Sequence, residues 1–418
     1  MMPSRPKCAQ GSARVPDAIR CGPRIAITPD HMTPPPQSPA ARSPAPPPRH
    51  EHTVLVLQGG GALGAYQAGA FEAFAAAGAM PDWIAGVSIG AINAALIAGN
   101  TPAQRVPRLR EFWNRVSGTV PFVLPGAFDV LRPWLNGWSA TTAALFGVPG
   151  MFTPRLGSLP IATPSVYDTE PLRRTLLELV DFELLNSGAV RLSVGAVDVR
   201  SGNSVYFDSR RTRIGPEHVM ASGALPPGFP PVQIGNEFYW DGGLVSNSPL
   251  WYVLDDAPDI DALILQVDLF SARGSLPANL MQAQERAKDI QYSSKTRFNS
   301  TQLRQREALK ASMRRLLDKL PASLRDDADV RRLGAAAQRS QISLVQLINR
   351  HDTRSSVAKD YEFSRTTVDE LWNAGIRDVR QSTAHRYWRE ATEHHDGMRV
   401  YDLTRADSPL TSAEKSTS

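Results

Sequence analysis

Three short segments carry residues whose types and spacing suit nucleophilic chemistry. Gly86-Val87-Ser88-Ile89-Gly90 has the spacing G-x-S-x-G, in which a serine sits on a sharp strand-to-helix turn and needs small neighbours because the backbone there is strained. The hydroxyl then stands clear of the sheet, and the N-terminal N–H groups of the following helix favour an alkoxide-like state. Upstream, Gly59-Gly60-Gly61 leaves backbone N–H groups uncovered. Donors of this kind form an oxyanion hole for a tetrahedral intermediate, each worth about 3–4 kcal/mol. Downstream, Asp241 precedes Gly242 and Gly243 at the end of an aromatic run. An aspartate in that setting forms a turn or cap, or, beside an activated serine, serves as its base. The combined chemistry is acyl transfer from an ester to Ser88, with Asp241 taking the proton. Aspartate is a weak base in water, with a pKa of about 3.9, so the arrangement requires a dry, well-oriented site.

Two other readings use the same residues. Gly59, Gly61 and Gly64 also spell G-x-G-x-x-G, the loop of a dinucleotide-binding protein. That fold calls for an acidic residue at the end of the second strand, about 20 residues on, whereas this chain has Val87-Ser88 there. The order Ser88, Asp241, His385 matches the triad order of an α/β-hydrolase, but Arg386 and Arg389 surround His385 in a charged stretch suited to a solvated surface.

Elements able to position these residues follow in order. TVLVLQ from Thr53 reads as a buried strand, the Ala-rich stretch from Gly64 to Gly78 as a helix, Asp82 to Val87 as a second strand and AINAALIAG as a second helix. Strand and helix in alternation imply parallel pairing with right-handed crossovers. RLSVGAVDV and NSVYFDS form a hairpin, a shorter hairpin ends in FYWDGG, and ALILQVDL at 262–269 is another buried strand. From about Ala278 the pattern becomes long, charged and helical, interrupted by strand-like ISLVQLI at 342–348. The expected organisation is a Pro/Ala/Arg-rich disordered tail over 1–52, a catalytic domain over 53–272 and a basic, mainly helical extension over 273–418. Met32 offers a second start within that tail.

Charge follows the same division. The 418 residues carry a net +5, but residues 53–272 hold 13 Lys and Arg against 19 Asp and Glu, while 273–418 hold 26 against 19. The part with the chemistry is acidic, which argues against nucleic acid as its partner. The basic part suits either peripheral contact with an anionic membrane or docking on the acidic part. Docking is expected, because Ile342 to Ile348, Trp372, Tyr387 and Trp388 need a partner surface. PFVLPGAFDVL at 120–131 with Trp134 and Trp138 reads as core, or as the wall of an acyl channel. With only Cys8 and Cys21, no disulfide framework or Cys/His metal cluster is available, so neither a metal nor another cofactor is expected. No apolar run reaches the length of a spanning helix and no secretory apolar segment is present in the first fifty residues, so the expected location is cytoplasmic. Nothing in the sequence sets an oligomeric state.

GGGALG, GVSIG and DGG, in that order, resemble the patatin-like phospholipase family, as does Ala221-Ser222-Gly223-Ala224 with the prolines running to Val232. The resemblance spans about residues 53–270. It implies a three-layer α/β/α fold, Ser88 as nucleophile, Asp241 as base without histidine, oxyanion donors in Gly59, Gly60 and Gly61, and a lipid or other ester as substrate. Gly64, Gly86, Gly90, Gly242 and Gly243 are the supporting motif positions. Where the family often has Arg or Lys, this chain has Leu63. The region beyond 270 looks like an extension found in a bacterial subset of the family.

Overall fold

The computed structural model describes residues 50–117, 147–155, 165–256, 261–293, 296–337, 341–350, 359–385, 388 and 397–402. The expected disordered tail up to residue 49, the 120–131 stretch with Trp134 and Trp138, and Tyr387 lie outside these residues.

The chain opens with β1 (His52–Leu57), α1 (Gly64–Ala76), β2 (Trp83–Val87), α2 (Ile89–Ala98) and α3 (Pro102–Val116). Next come the two-residue strands β3 (Thr153–Pro154) and β4 (Tyr167–Asp168), the helices α4 (Glu170–Leu179) and α5 (Phe182–Asn186), and the hairpin of β5 (Arg191–Asp198) with β6 (Ser204–Asp208). After these follow α6 (Pro216–Ser222), the hairpin β7 (Val232–Ile234) and β8 (Glu237–Asp241), α7 (Leu250–Asp256) and β9 (Asp261–Asp268). The remainder contributes α8 (Leu280–Tyr292), α9 (Thr296–Leu317), α10 (Ala328–Ala336), β10 (Gln341–Ile348), α11 (Arg365–Ala384) and β11 (Gly397–Asp402).

One sheet runs in the order β11-β10-β9-β1-β2-β5-β8-β7, with β6 also on β5. The six strands from β11 to β5 are parallel to one another, while β6 and β8 are antiparallel to β5. β1 shows why the sheet needs cover on both sides. Leu55 and Leu57 enter one core with residues of α1, α2, α3 and α11, whereas Val54 and Val56 enter a second core with Leu250, Val253 and Leu254 of α7. A strand apolar at both parities is stable only between two layers, so the architecture is the three-layer α/β/α sandwich. Among the described residues no helix is long and apolar enough to cross a membrane.

Residues beyond 272 continue this sheet. β10 pairs with the outer edge of β9 over eight residues, from Gln341 opposite Asp261 to Ile348 opposite Asp268. β11, which the sequence reading did not anticipate, covers β10 in turn. On one face α11 lies against α1. A Cβ on Gly69 would overlap the Trp372 carbonyl, and one on Gly375 the Tyr66 carbonyl, so the two helix backbones meet. Polar bonds surround that contact, from Tyr66 Oη to Asp378 at 2.7 Å and from Trp372 Nε1 to Glu72 at 2.6 Å. Ending the chain after residue 272 removes these partners and bares the β9 edge together with Phe71 and Phe74, both buried in the intact fold. A 1–272 fragment should therefore aggregate on size-exclusion chromatography and fail to hydrolyse a soluble short-chain ester. A monomeric fragment with full activity would contradict this packing argument.

Candidate active site

Strand register brings the serine and the aspartate together. β2 runs parallel to β5 as far as Val87 opposite Gly195, and β6 occupies the other edge of β5 from Ser193 to Val197. β8 therefore takes the edge that β2 vacates, running the opposite way and ending with Asp241 opposite Ala196. The two strands meet end to end along consecutive residues of β5. The residue after Val87 is Ser88, so its side chain stands beside Asp241.

Ser88 has φ 56° and ψ −125°, and it is the one non-glycine residue with positive φ among the described residues. Such a conformation costs about 1–3 kcal/mol and persists only where the surroundings impose it. Here they do. The Ser88 N–H donates to Ser222 Oγ at 2.8 Å, and that hydroxyl donates to the Gly195 carbonyl at 2.6 Å. The Ser88 carbonyl accepts from the N–H groups of Ala91 and Ile92 and so opens α2. A Cβ on Gly90 would overlap the Leu57 carbonyl and one on Gly86 the Gly90 carbonyl, which is why both flanks of the elbow lack side chains.

Asp241 is 3% exposed. Its N–H bonds the Ala224 carbonyl at 3.0 Å, its Oδ1 accepts the Gly243 N–H at 2.7 Å, and it lines the same cavity as Ser88. Gly242 packs on the Gly195 carbonyl with no room for a Cβ. No cation pairs with Asp241 among the described residues. Burial therefore dominates and pushes its carboxyl up to about 6, against the opposing pull of the nearby Ser88 hydroxyl and the Gly243 N–H.

The glycine loop is held from below. Gln58 is fully buried, and its Oε1 accepts from the N–H groups of Leu269 and Phe270 at 2.6 and 3.0 Å. Asn247 donates to the Gly59 carbonyl at 3.1 Å. Both side-chain amides also donate to the Tyr292 carbonyl, at 3.0 Å from Gln58 and 2.9 Å from Asn247. Gly64 opens α1 and its carbonyl accepts from Asn93. Of the three amides named from sequence, the N–H of Gly59 is already taken by the Asn247 carbonyl at 3.1 Å. In this structure the Gly59 amide anchors the loop. The N–H groups of Gly60 and Gly61 have no acceptor among the described residues. Gly61 has φ 54°, and a Cβ there would also strike the Asp360 carbonyl. Leu63 is buried, leaving no charge at that position of the loop.

Ser88, Asp241 and the glycine loop line one cavity of about 270 Å³. Its wall is apolar on the side of Ile89, Ile92, Phe152, Leu172 and Phe229. Lys288, Tyr292, Asp360, Tyr361 and Phe363, all from beyond residue 272, line it as well. Burial raises the Tyr292 and Tyr361 phenols, and the Asp241 charge raises them further, so both stay protonated donors. None of these five residues stood out in the sequence, because no motif marks them and they lie 40 or more residues from the recognised blocks. Ser222 and Asn247 lie within or beside those blocks, but without assigned roles. His385 is exposed at the C-terminal end of α11 and does not line the cavity.

Residues 55–254 match the model of the patatin-like phospholipase family, and residues 290–395 match a second model described as patatin phospholipase. The chain belongs to the patatin-like phospholipase family. That membership puts its activity among the lipid hydrolases. Among solved structures the chain is similar to VipD from Legionella pneumophila, at 14% identity over 78% of this chain and 68% of that one, with a TM-score of 0.31. It is similar also to ExoU of the Pseudomonas aeruginosa type III secretion system, solved in complex with SpcU, at 18% identity over 59% of this chain and half of that one, with a TM-score of 0.26. No curated protein matches the chain. Nothing in the site supports the dinucleotide alternative, since β2 ends at Val87 with Ser88 following, where a ribose-binding acid would stand.

Proposed function

We propose that this patatin-like protein hydrolyses carboxylic esters of lipids with Ser88 as nucleophile and Asp241 as the sole base. The observation that carries this reading is a serine in a strained backbone conformation that shares one cavity with a buried carboxylate, which has no cation partner among the described residues. Ser88 Oγ attacks the ester carbonyl while its proton passes to Asp241. The N–H groups of Gly60 and Gly61, with the N-terminus of α2, stabilise the oxyanion. The alcohol departs with the Asp241 proton, and water, deprotonated by the same carboxylate, then releases the acid from the acyl-enzyme. The apolar wall suits the acyl chain.

A pH–rate profile tests the base. Asp241 must be ionised to accept the proton, and its carboxyl lies at about 6. kcat/KM on a soluble short-chain ester should hold from pH 8 to 7 and fall about tenfold per pH unit below about 6, as a single ionisation requires. An acid limb that bends near pH 4 would mean that an ordinary, solvated carboxylate is the base, contrary to this reading. In parallel, stoichiometric binding of NAD, NADP or FAD in a titration would restore the dinucleotide alternative.

A further inference from the structure

Among the described residues, three ionisable carboxylate or ammonium groups line the cavity: Asp241, Lys288 and Asp360. The proposed reaction uses only Asp241. The other two form an ion pair, Lys288 Nζ to Asp360 Oδ1 at 2.5 Å, against a largely apolar wall. They stand on the glycine-loop side, since the Asp360 carbonyl occupies the space a Cβ on Gly61 would need. A structural tie between α8 and this segment already exists beside them. Lys359 bonds Asp289 at 2.6 Å and Glu285 at 3.5 Å, and none of these three lines the cavity. The second pair therefore adds something other than attachment, a positive and a negative charge presented side by side to whatever enters.

A purely anionic group drawn to Lys288 would come within a few ångströms of Asp360 and near Asp241, and a lone cation drawn to Asp360 would meet Lys288. At the low effective dielectric of an apolar pocket each attraction would be offset by a repulsion of similar size. Only a group carrying both charges is favoured at both ends. An aromatic face completes the arrangement, with the Tyr361 ring centroid 5.5 Å from Lys288 Nζ and thus already turned toward a cation. Rings so placed also attract substituted ammonium groups.

Resting on the reading above for where the ester lies, we propose that Lys288 and Asp360 form a dipolar recess that selects lipid esters with a zwitterionic head group. The phosphate goes to Lys288, and the ammonium goes to Asp360 and the Tyr361 face. Both charges come from beyond residue 272, which makes that region a determinant of specificity.

Phosphatidylcholine, phosphatidylglycerol and diacylglycerol with the same acyl chains, each diluted in micelles of an uncharged detergent, separate the possibilities. Wild type should prefer phosphatidylcholine to phosphatidylglycerol by about tenfold or more in kcat/KM, the scale of one charged contact. Asp360→Asn should shrink or invert that ratio. Lys288→Met should cost phosphatidylcholine about tenfold more than it costs diacylglycerol. Equal losses on all three lipids, or a wild type indifferent to the head group, would overturn the proposal and leave the pair a structural tie. A binding measurement separates recess from catalysis. Glycerophosphocholine should bind the Ser88→Ala protein in calorimetry, and Lys288→Met added to it should weaken binding about tenfold. No binding to Ser88→Ala would also overturn the recess. Binding without hydrolysis of any ester by wild type would keep the recess and reject the Ser88–Asp241 reading.

Discussion

Replacing Ser88 by alanine is expected to lower ester turnover by about four to six orders of magnitude, the range seen when a nucleophile acting in concert with its base is removed. A fluorophosphonate should label wild type on Ser88 alone and leave Ser88→Ala unlabelled in peptide mapping. Labelling that persists on another serine would remove Ser88 from the chemistry. The backbone adds a second, independent readout. Ser88 sits at φ 56°, a conformation that alanine tolerates no better and glycine adopts freely. Ser88→Gly should therefore be as inactive as Ser88→Ala, yet more stable than wild type by about 1 kcal/mol, after allowing for the greater chain entropy of glycine. Equal melting temperatures for Ser88→Gly and Ser88→Ala would show that the elbow stores no strain.

Asp241→Asn should reduce turnover by about three to four orders of magnitude, since the amide keeps the shape but accepts no proton. His385→Ala, at an exposed helix end outside the cavity, should change turnover by less than about twofold. Equal losses from the two would point to a histidine relay. The same substitution should stabilise the fold. Because the Asp241 carboxyl is raised to about 6 from an unfolded value of about 3.9, folding favours its protonated form. Its contribution is fully favourable below about pH 4 and is lost as pH rises through about 6, so at pH 7 to 8 the buried charge costs about 2–3 kcal/mol. Asn carries no such charge. Denaturant titrations should find Asp241→Asn the more stable protein at pH 8, with the difference closing toward pH 4. A less stable variant at pH 8 would mean that the carboxylate is held by favourable contacts and is not an unfavourable burial.

How much could be read before the structure depended on whether a feature is local. The elbow and the glycine loop were legible because their glycines answer to steric demands within a few residues, as the Gly86–Gly90 contact illustrates. β1, β2, β5 and β9 were legible because a strand with both faces covered is apolar throughout. That the Gly59 amide is spoken for was not legible, since its acceptor is a carbonyl 188 positions away. Lys288 and Asp360 lie in charged segments that read as solvated helix, and only the crossover that carries β10 to the edge of β9 brings them to the cavity. β11 was hidden for another reason. Its six residues, GMRVYD, place Val400 and Tyr401 side by side and so lack a clean alternation, too short and irregular a pattern to distinguish from loop.

The Tyr292 carbonyl that receives the amides of Gln58 and Asn247 gives the site a direction in time. A chain leaves the ribosome from its N-terminus, so Ser88 and Asp241 are exposed to the cell before α8 exists. β1 must likewise wait for β9, 210 positions later, before its second edge is paired, and contacts of such separation form slowly. A nascent chain thus carries Ser88 before the Tyr292 carbonyl that ties down Gln58 and Asn247 exists. The cavity is complete only once residues as late as Phe363 have been made and folded onto it.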